Sequence, residues 1–298
     1  MGAPPCESSA LVRERGAHGE TPLQFKAKTM TKPILMGAVA YDPKVVPIWD
    51  GIREYLKQAG PGMDYVLFSN YEAQVDALIS GFIDIAWNTN LAYVRTHRRT
   101  NGRCRALAMR DTDVDYCSVI VVRNDAGINS VADLRGKTLA LGSRDSGHAA
   151  ILPLYFLKRQ DIDPGRDLNL MRFDLDVGKH GDTGASEAAV LNAVASGQAE
   201  AGAVGDPFWA KALEERAIDC DKVRLLWTTP TYHHCNFTAL DSLEDSRYRP
   251  WVEALLKMDY NNAQHRPLLD MEGLKRWLPA QTEGYRTLFE AVEEQGIE

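Results

Sequence analysis

The stretch Leu141 to Pro153 reads LGSRDSGHAAILP, in which a run of strand-forming residues gives way to serines and glycines just ahead of a helix-forming segment. Ser143 and Ser146 carry hydroxyl donors, Gly147 lets a backbone approach closely, and the first turn of a helix presents N–H groups without partners of their own. Such a cluster could cradle an anion; plain N-capping by Ser146 is the alternative that the residues leave open. Pro153 predicts a kink or a short irregular first turn. Imidazoles form the second chemically able set: His148, His180, His233 and His234, with Cys235, Asp206 and Glu187 as further polar candidates. A protonated imidazole adds charge to an oxyanion site, and imidazole with carboxylate or thiolate binds iron or zinc when three donors converge. Adjacent histidines on an extended strand point to opposite faces, so only one of His233 and His234 is expected to look into any site.

Other eye-catching residues read as ordinary. Asp111, Asp113 and Asp115 alternate like a calcium loop but lack the glycine and closing glutamate of an EF-hand. Arg95, His97, Arg98 and Arg99 read as a solvated basic face. Gly202 to Asp206 has no GxGxxG spacing, and the chain has no GKS or GKT phosphate loop and no GxSxG elbow, so a dinucleotide enzyme, a P-loop NTPase and a serine hydrolase are unsupported.

The elements that must position these residues alternate between short β-rich runs and helical stretches from Lys32 onward, which predicts α/β layers on a mostly parallel sheet. Strands are expected at 34–40, 65–69, 83–87, 105–110, 116–123, 138–142, 168–173, 200–204 and 223–227. A helix started by Pro47 is expected next, with Val45, Ile48, Trp49, Ile52, Tyr55 and Leu56 on one face, and Gly60-Pro61-Gly62 stops it. Ser130 with Asp133 forms a capping box, a helix runs from Ser186 to Ser196, and Asp206 caps another that has Pro207 in its first turn. Further helices are expected at 242–258, 271–278 and 283–294, packing on the first lobe. The turn-rich Asn124 to Gly127 is read as the first crossing between two lobes, giving 30–122 plus 229–298 as lobe one and 123–228 as lobe two. Residues 1–29 are read as a disordered leader, with Met30 as an alternative start.

With 298 residues, the chain is long enough for two lobes, and a formal net charge of −7 argues against nucleic acid as a partner. No run approaches the ~20 apolar residues of a membrane span. The first 29 residues mix charges of both signs without an apolar core, and Cys6 lacks the preceding hydrophobic stretch of a lipidation signal. As written, this predicts a cytoplasmic protein; a misassigned N-terminus would place it in the periplasm. Five widely spaced cysteines fit reduced thiols better than a disulfide framework.

The SRDSG (SxxSG) at Ser143 to Gly147, with a proline six residues after that glycine, resembles the oxyanion-binding loop of the phosphonate/phosphate/phosphite-binding substrate proteins of ABC transporters. GFIDIAWNTNLAYV (81–94) is similar to that family's strand and loop after the second strand. The GxH at Gly178 to His180 and the Thr229-Pro230 pair are also placed as the family places them. The resemblance runs from about Lys32 to Leu240 and implies a type II periplasmic-binding-protein fold: two Rossmann-like lobes joined by a two-strand hinge. It implies a small anionic ligand held by Tyr71 and Asn88 from lobe one and by Ser143, Ser146, Gly147, His148, His180 and Asp206 from lobe two, with an ABC permease as partner. Three departures stand out. His148 replaces the aromatic or hydroxyl residue that often follows the glycine of this loop, an extra Gly181-Asp182-Thr183-Gly184 follows the GxH, and His233-His234-Cys235-Asn236 stands where a PGDP-like turn is usual. On that fold His148, His180, His233, His234 and Cys235 border one cleft, and an iron or zinc site is expected if they converge.

Two functions follow from these readings. The leading one is a solute-binding protein for a phosphonate-, phosphate- or phosphite-like oxyanion, serving ABC-type uptake or cytosolic sensing without covalent chemistry. The other is a cytosolic enzyme on the same fold, with a histidine-rich metal site, in cofactor or natural-product biosynthesis.

Overall fold

The run ILMGAV is apolar at every position, as suits a strand covered on both faces. It forms β1 (Ile34–Val39), which pairs in parallel with β2 (Met63–Phe68) on one side and β3 (Ile85–Asn88) on the other. The structure, a computed structural model, describes residues 32–298; the expected leader, Cys6 and Met30 lie outside the described residues. α1 (Val45–Ala59) buries Val45, Ile48, Trp49, Ile52 and Leu56, the face that its apolar spacing predicts. α2 (Tyr71–Ile79) and α3 (Asn90–Arg99) begin after β2 and β3, capped by Asn70, which accepts the Ala73 N–H at 2.8 Å, and by Thr89, which accepts the Ala92 N–H at 3.2 Å. β4 (Cys104–Arg110) completes this part of the sheet.

The chain then changes sheet. β5 (Ser118–Arg123) pairs antiparallel with β8 (Ala201–Gly205) and β9 (Val223–Thr228), while β6 (Thr138–Leu141) lies parallel to β8 and to β7 (Asn169–Arg172). The second sheet has the order β7-β6-β8-β5-β9. The crossing therefore falls between Arg110 and Ser118, not at the turn 124–127, and 116–123 does not belong with the first lobe. Both β4 and β5 are β-rich, and the choice of sheet depends on distant partners that a local pattern does not carry. On return, β10 (Asn236–Leu240) inserts antiparallel between β3 and β4. Each sheet thus takes in one antiparallel strand delivered by a crossing. The crossings run side by side: Tyr232 N–H donates to the Tyr116 carbonyl at 2.8 Å and His234 N–H to that of Asp113 at 2.9 Å.

Gly147–Ile151 forms one π-helical turn ahead of α4 (Leu152–Lys158), whose second residue is Pro153. This is the irregular start that Pro153 predicts, since the ring bars a regular i to i−4 bond. After α5 (Pro164–Asp167) come α6 (Ala185–Ser196) and α7 (Asp206–Glu214). Asp206 does not cap α7: Gly205 holds the cap position, no side chain bonds there, and Asp206 is the first helical residue, exposed.

The C-terminal part contains α8 (Asp245–Leu256), α9 (Arg266–Glu272), the short strand β11 (Trp277–Pro279) and α10 (Arg286–Glu294). The helix expected at 271–278 is not formed. Gly273, at φ 77°, ends α9, and Trp277 to Pro279 pair with β4, giving the first sheet the order β11-β4-β10-β3-β1-β2. Tertiary pairing overrides a weakly helical stretch here. α8 and α9 pack on α1, so that Trp49, Trp87, Phe237, Trp251 and Trp277 share one core. α10 does more than cover the first lobe: Leu288, Ala291 and Val292 bury against Leu91 and Val94 of α3 and against Ile151, Leu152 and Tyr155 at the start of α4.

Candidate functional site

Ligands of α/β sheets gather beyond the carboxyl ends of strands, and here the ends of β3 and β6, the two crossings and the loop before α6 surround one cavity of about 540 Å³. Tyr41, Arg110, Tyr116, His148, Asp182, Glu187, His234, Cys235 and Glu272 line it, together with Lys44 and Lys211.

A continuous polar chain crosses the cavity wall from one sheet to the other. Glu187 on α6 accepts the Gly205 N–H at 2.8 Å and places its other oxygen 3.4 Å from His148 Nε2. His148 Nδ1 lies 3.3 Å from His234 Nε2, and His234 Nδ1 lies 3.5 Å from an Asp113 oxygen and 3.0 Å from Cys235 Sγ. Asp113 accepts from Arg110 Nε at 2.7 Å and Nη2 at 2.8 Å, and Arg110 Nη1 donates to the Glu272 carbonyl at 3.0 Å. Burial lowers the pKa of His148, but the Glu187 carboxylate outweighs it and holds that imidazole above its ordinary value. His234, buried and beside His148, stays below the usual imidazole range although Asp113 pulls the other way. Of the pair, His148 therefore takes up a proton more readily than His234, and a proton on its Nδ1 would point at His234 Nε2. Burial would raise Asp113, yet the Arg110 guanidinium holds it well below the usual carboxylate range. Glu272 is pushed up by burial to about 7, with Arg110 only partly opposing.

The other wall is built by the loop 174–184, a succession of turns with Gly178, His180, Gly181 and Gly184 all at positive φ. His180, at φ 55°, occupies a conformation that costs a non-glycine residue about 1 kcal/mol. Its ring is held on every side: Nδ1 meets the Thr89 hydroxyl at 2.6 Å, Nε2 lies 3.1 Å from Arg95 and 3.2 Å from Glu72, and the face stacks on Tyr71 at 4.6 Å. The loop also grips the first lobe through its backbone, where Gly178 accepts the Tyr71 N–H at 2.9 Å, and through Lys179, which donates to the Ala40 carbonyl at 2.7 Å. The Tyr71 hydroxyl donates to Asp182, which the extra residues 181–184 deliver into the cavity.

The serine loop divides. Ser146 accepts the Ala149 N–H at 3.1 Å and begins the π turn, so the capping alternative describes its hydroxyl; it also lies against Gly181. Gly147 is needed for close approach, because a Cβ there would stand 2.6 Å from Asn90 Oδ1 of α3. Ser143 turns away from the cavity: it is buried, 2.8 Å from the Ser186 hydroxyl and bonded to Asp176. Asn88 is buried at the end of β3, accepting from Gln74 at 2.8 Å, while its Nδ2 has no partner among the described residues. Asp206 does not line the cavity. His233 faces away from His234, with Nδ1 3.1 Å from the Gln281 carbonyl, as strand alternation requires.

The histidines and Cys235 do not meet at one point. Asp113, His234 and Cys235 have donor atoms within 4.8 Å of one another, and so do Glu72, Asp145 and His180. In each group an arginine already supplies the cation: Arg110 on Asp113, and Arg95 on Glu72 and His180. A divalent ion bound in either place would face that guanidinium. Sequence reading missed Asp113, Arg110 and Asp182, and set Arg95 aside as a solvated patch. One signal was present: of the alternating Asp111, Asp113 and Asp115 only the middle one is buried, and a buried carboxylate needs a partner such as Arg110.

The family model for ABC transporter, phosphonate, periplasmic substrate-binding proteins matches residues 38–285. A probable ABC transporter phosphite binding protein, PhnD1, of Prochlorococcus marinus (strain MIT 9301) is 27% identical over 248 residues, which cover 80% of each chain. The structure of that PhnD1 in complex with methylphosphonate superposes with a TM-score of 0.69 at 22% identity, over 89% of this chain and 98% of that one. XAC2383 of Xanthomonas citri, bound to ATP, gives 0.70 at 18% identity over 90% and 100%. The periplasmic aliphatic sulphonate binding protein SsuA of Escherichia coli gives 0.62 at 16% over 90% and 88%. At these identities the solved structures establish a shared fold.

Proposed function

The chain belongs to the family of phosphonate substrate-binding proteins of ABC transporters, and from that premise we propose that it holds one small oxyanion in the cavity between its two sheets and releases it unchanged. One observation carries this reading: the cavity lies at the paired crossings, with phenol, imidazole and guanidinium donors converging from both sheets on a space suited to a small ligand. Tyr41 comes from the end of β1, Tyr116 and His234 from the crossings, and His148 from the turn after β6. A ligand touching all of them favours the closed arrangement over an open one, because only closure brings every contact to it.

His148 is the proposed centre of recognition, since Glu187 favours its charged form and its ring borders the cavity. The ABC permease of the same transporter is the proposed recipient, and the periplasm the proposed site of action. Among the described residues no helix is long and apolar enough to cross a membrane. Calorimetric titration with methylphosphonate, phosphite and phosphate tests the reading. At least one is expected to bind with a micromolar or tighter Kd, weakened about tenfold or more by His148→Ala. Folded protein that gives no heat with any of the three would refute it.

A further inference from the structure

Asp182 is a carboxylate placed inside a cavity meant, on the reading above, for an anion. It accepts from the Tyr71 hydroxyl, the kind of donor that an oxyanion oxygen would seek. Its position is built by the loop: Asp182 N–H donates to the Lys179 carbonyl at 3.0 Å and Gly184 N–H to that of Gly181 at 3.0 Å, with left-handed glycines at 181 and 184. Of the cations around it, Arg110 is engaged by Asp113 and Glu272, His148 by Glu187 and Lys211 by Glu215, while Lys44 also lines the cavity.

We infer that Asp182 is a specificity-determining residue that accepts a proton-bearing oxygen of the guest, so that the cleft takes oxyanions able to keep a proton, such as phosphonate or phosphite monoanions, and rejects sulfonates. The inference rests on the oxyanion reading and names the substrate class within it. A bare oxyanion oxygen near Tyr71 meets a like charge. An oxygen that retains its hydrogen donates it to Asp182 and forms a charge-assisted bond in a half-buried site. Phosphonates have a second ionisation in the neutral range, as phosphate esters do, whereas a sulfonate has given up its single proton already. The proton stays on the guest oxygen throughout; nothing is transferred.

Calorimetry of the full chain with methylphosphonate and methanesulfonate, for wild type and Asp182→Asn across pH 5 to 9, tests this. Wild type is expected to prefer methylphosphonate by on the order of a hundredfold, with affinity falling up to tenfold per pH unit above the ligand's second ionisation. Asp182→Asn, whose amide can donate, is expected to bind methanesulfonate and to flatten that pH profile. Other charged or titratable groups surround the cavity: Tyr71 on α2, Tyr41, Asp42 and Lys44 after β1, Tyr116, His234 and Cys235 on the crossings, His148 on the π turn, Glu187 on α6, Lys211 on α7, and Asp270 and Glu272 on α9 with Arg110 and Asp113 beside them. All are common to both proteins, so the difference between the profiles isolates Asp182. Equal wild-type affinity for the two ligands would overturn the inference even if the variant failed to fold, as would a folded variant with unchanged selectivity and pH profile. Absence of binding by either ligand to wild type, together with failure of phosphite and phosphate, would sink the oxyanion reading and this one with it.

Discussion

Arg110 illustrates how single residues are balanced at this site. It holds Asp113 with two hydrogen bonds and reaches the buried Glu272 with a third contact at 3.4 Å, so one guanidinium serves two carboxyls. Asp113 takes the charge and Glu272 is left with a pKa of about 7, against an ordinary glutamate value near 4.5. The folded state therefore binds more protons than the unfolded chain between those values, and this group's contribution to stability is full below pH 4.5 and is lost as pH rises to about 7. The loss amounts to at most about 3 kcal/mol. His148, held above its ordinary value, loses its contribution as pH rises past the neutral imidazole range, and His234, held below, gains over the same interval. Glu272→Gln removes only the first of these terms. Urea unfolding at pH 5 and pH 7.5 is expected to show a larger drop in stability for wild type than for the variant; equal drops would mean that Glu272 ionises normally.

At the scale of elements, the start of α4 and the last helix carry most of the load between the sheets. α10 lies against α3 of one lobe and α4 of the other, and Leu288 is among its fully buried residues. Polar contacts flank this apolar seam, with Lys158 donating to Glu294 at 3.0 Å and Arg159 to the same carboxylate at 2.9 Å. Exposed ion pairs of this kind contribute little, so the seam depends on its apolar side chains. Leu288→Ala is expected to cost 2–5 kcal/mol in chemical denaturation, while Glu294→Gln should cost less than about 1 kcal/mol. A small effect of the leucine change would show that α10 is dispensable to the join.

Seen as a whole, the molecule has its lobes drawn together by three sets of contacts: the paired crossings, the seam under α10, and the loop 174–184 laid over the first lobe at Tyr71 and Ala40. Gly147 lies where the lobes meet, and an added Cβ there would stand 2.6 Å from Asn90 Oδ1. Small-angle scattering is expected to record a smaller radius of gyration for wild type on adding methylphosphonate, and no such contraction for Gly147→Ala, with ligand affinity reduced about tenfold or more. A variant that contracts as wild type does would show that Asn90 simply moves aside.

Much of this was legible before any coordinates. The apolar run at 34–39, the one-sided helix after Val45, the glycine stops and the proline-broken start after Gly147 are local signals, because steric limits on φ and the need to bury one face act over a few residues. The serine loop and the GxH at 178–180 likewise marked the segments that come together, and alternation foretold that His233 and His234 would part. Tertiary structure decided what depends on distant partners. Whether 116–123 joined one sheet or the other, and whether 271–278 became a helix or the edge strand β11, hung on hydrogen bonds with residues far along the chain. The same holds for chemistry: Ser143 was spent on Asp176 and Ser186, Asp113 was drawn inside by Arg110, and Asp182 was set before Tyr71. A side chain's type can be read from sequence, but its charge state and its target depend on burial and on neighbours that only folding supplies.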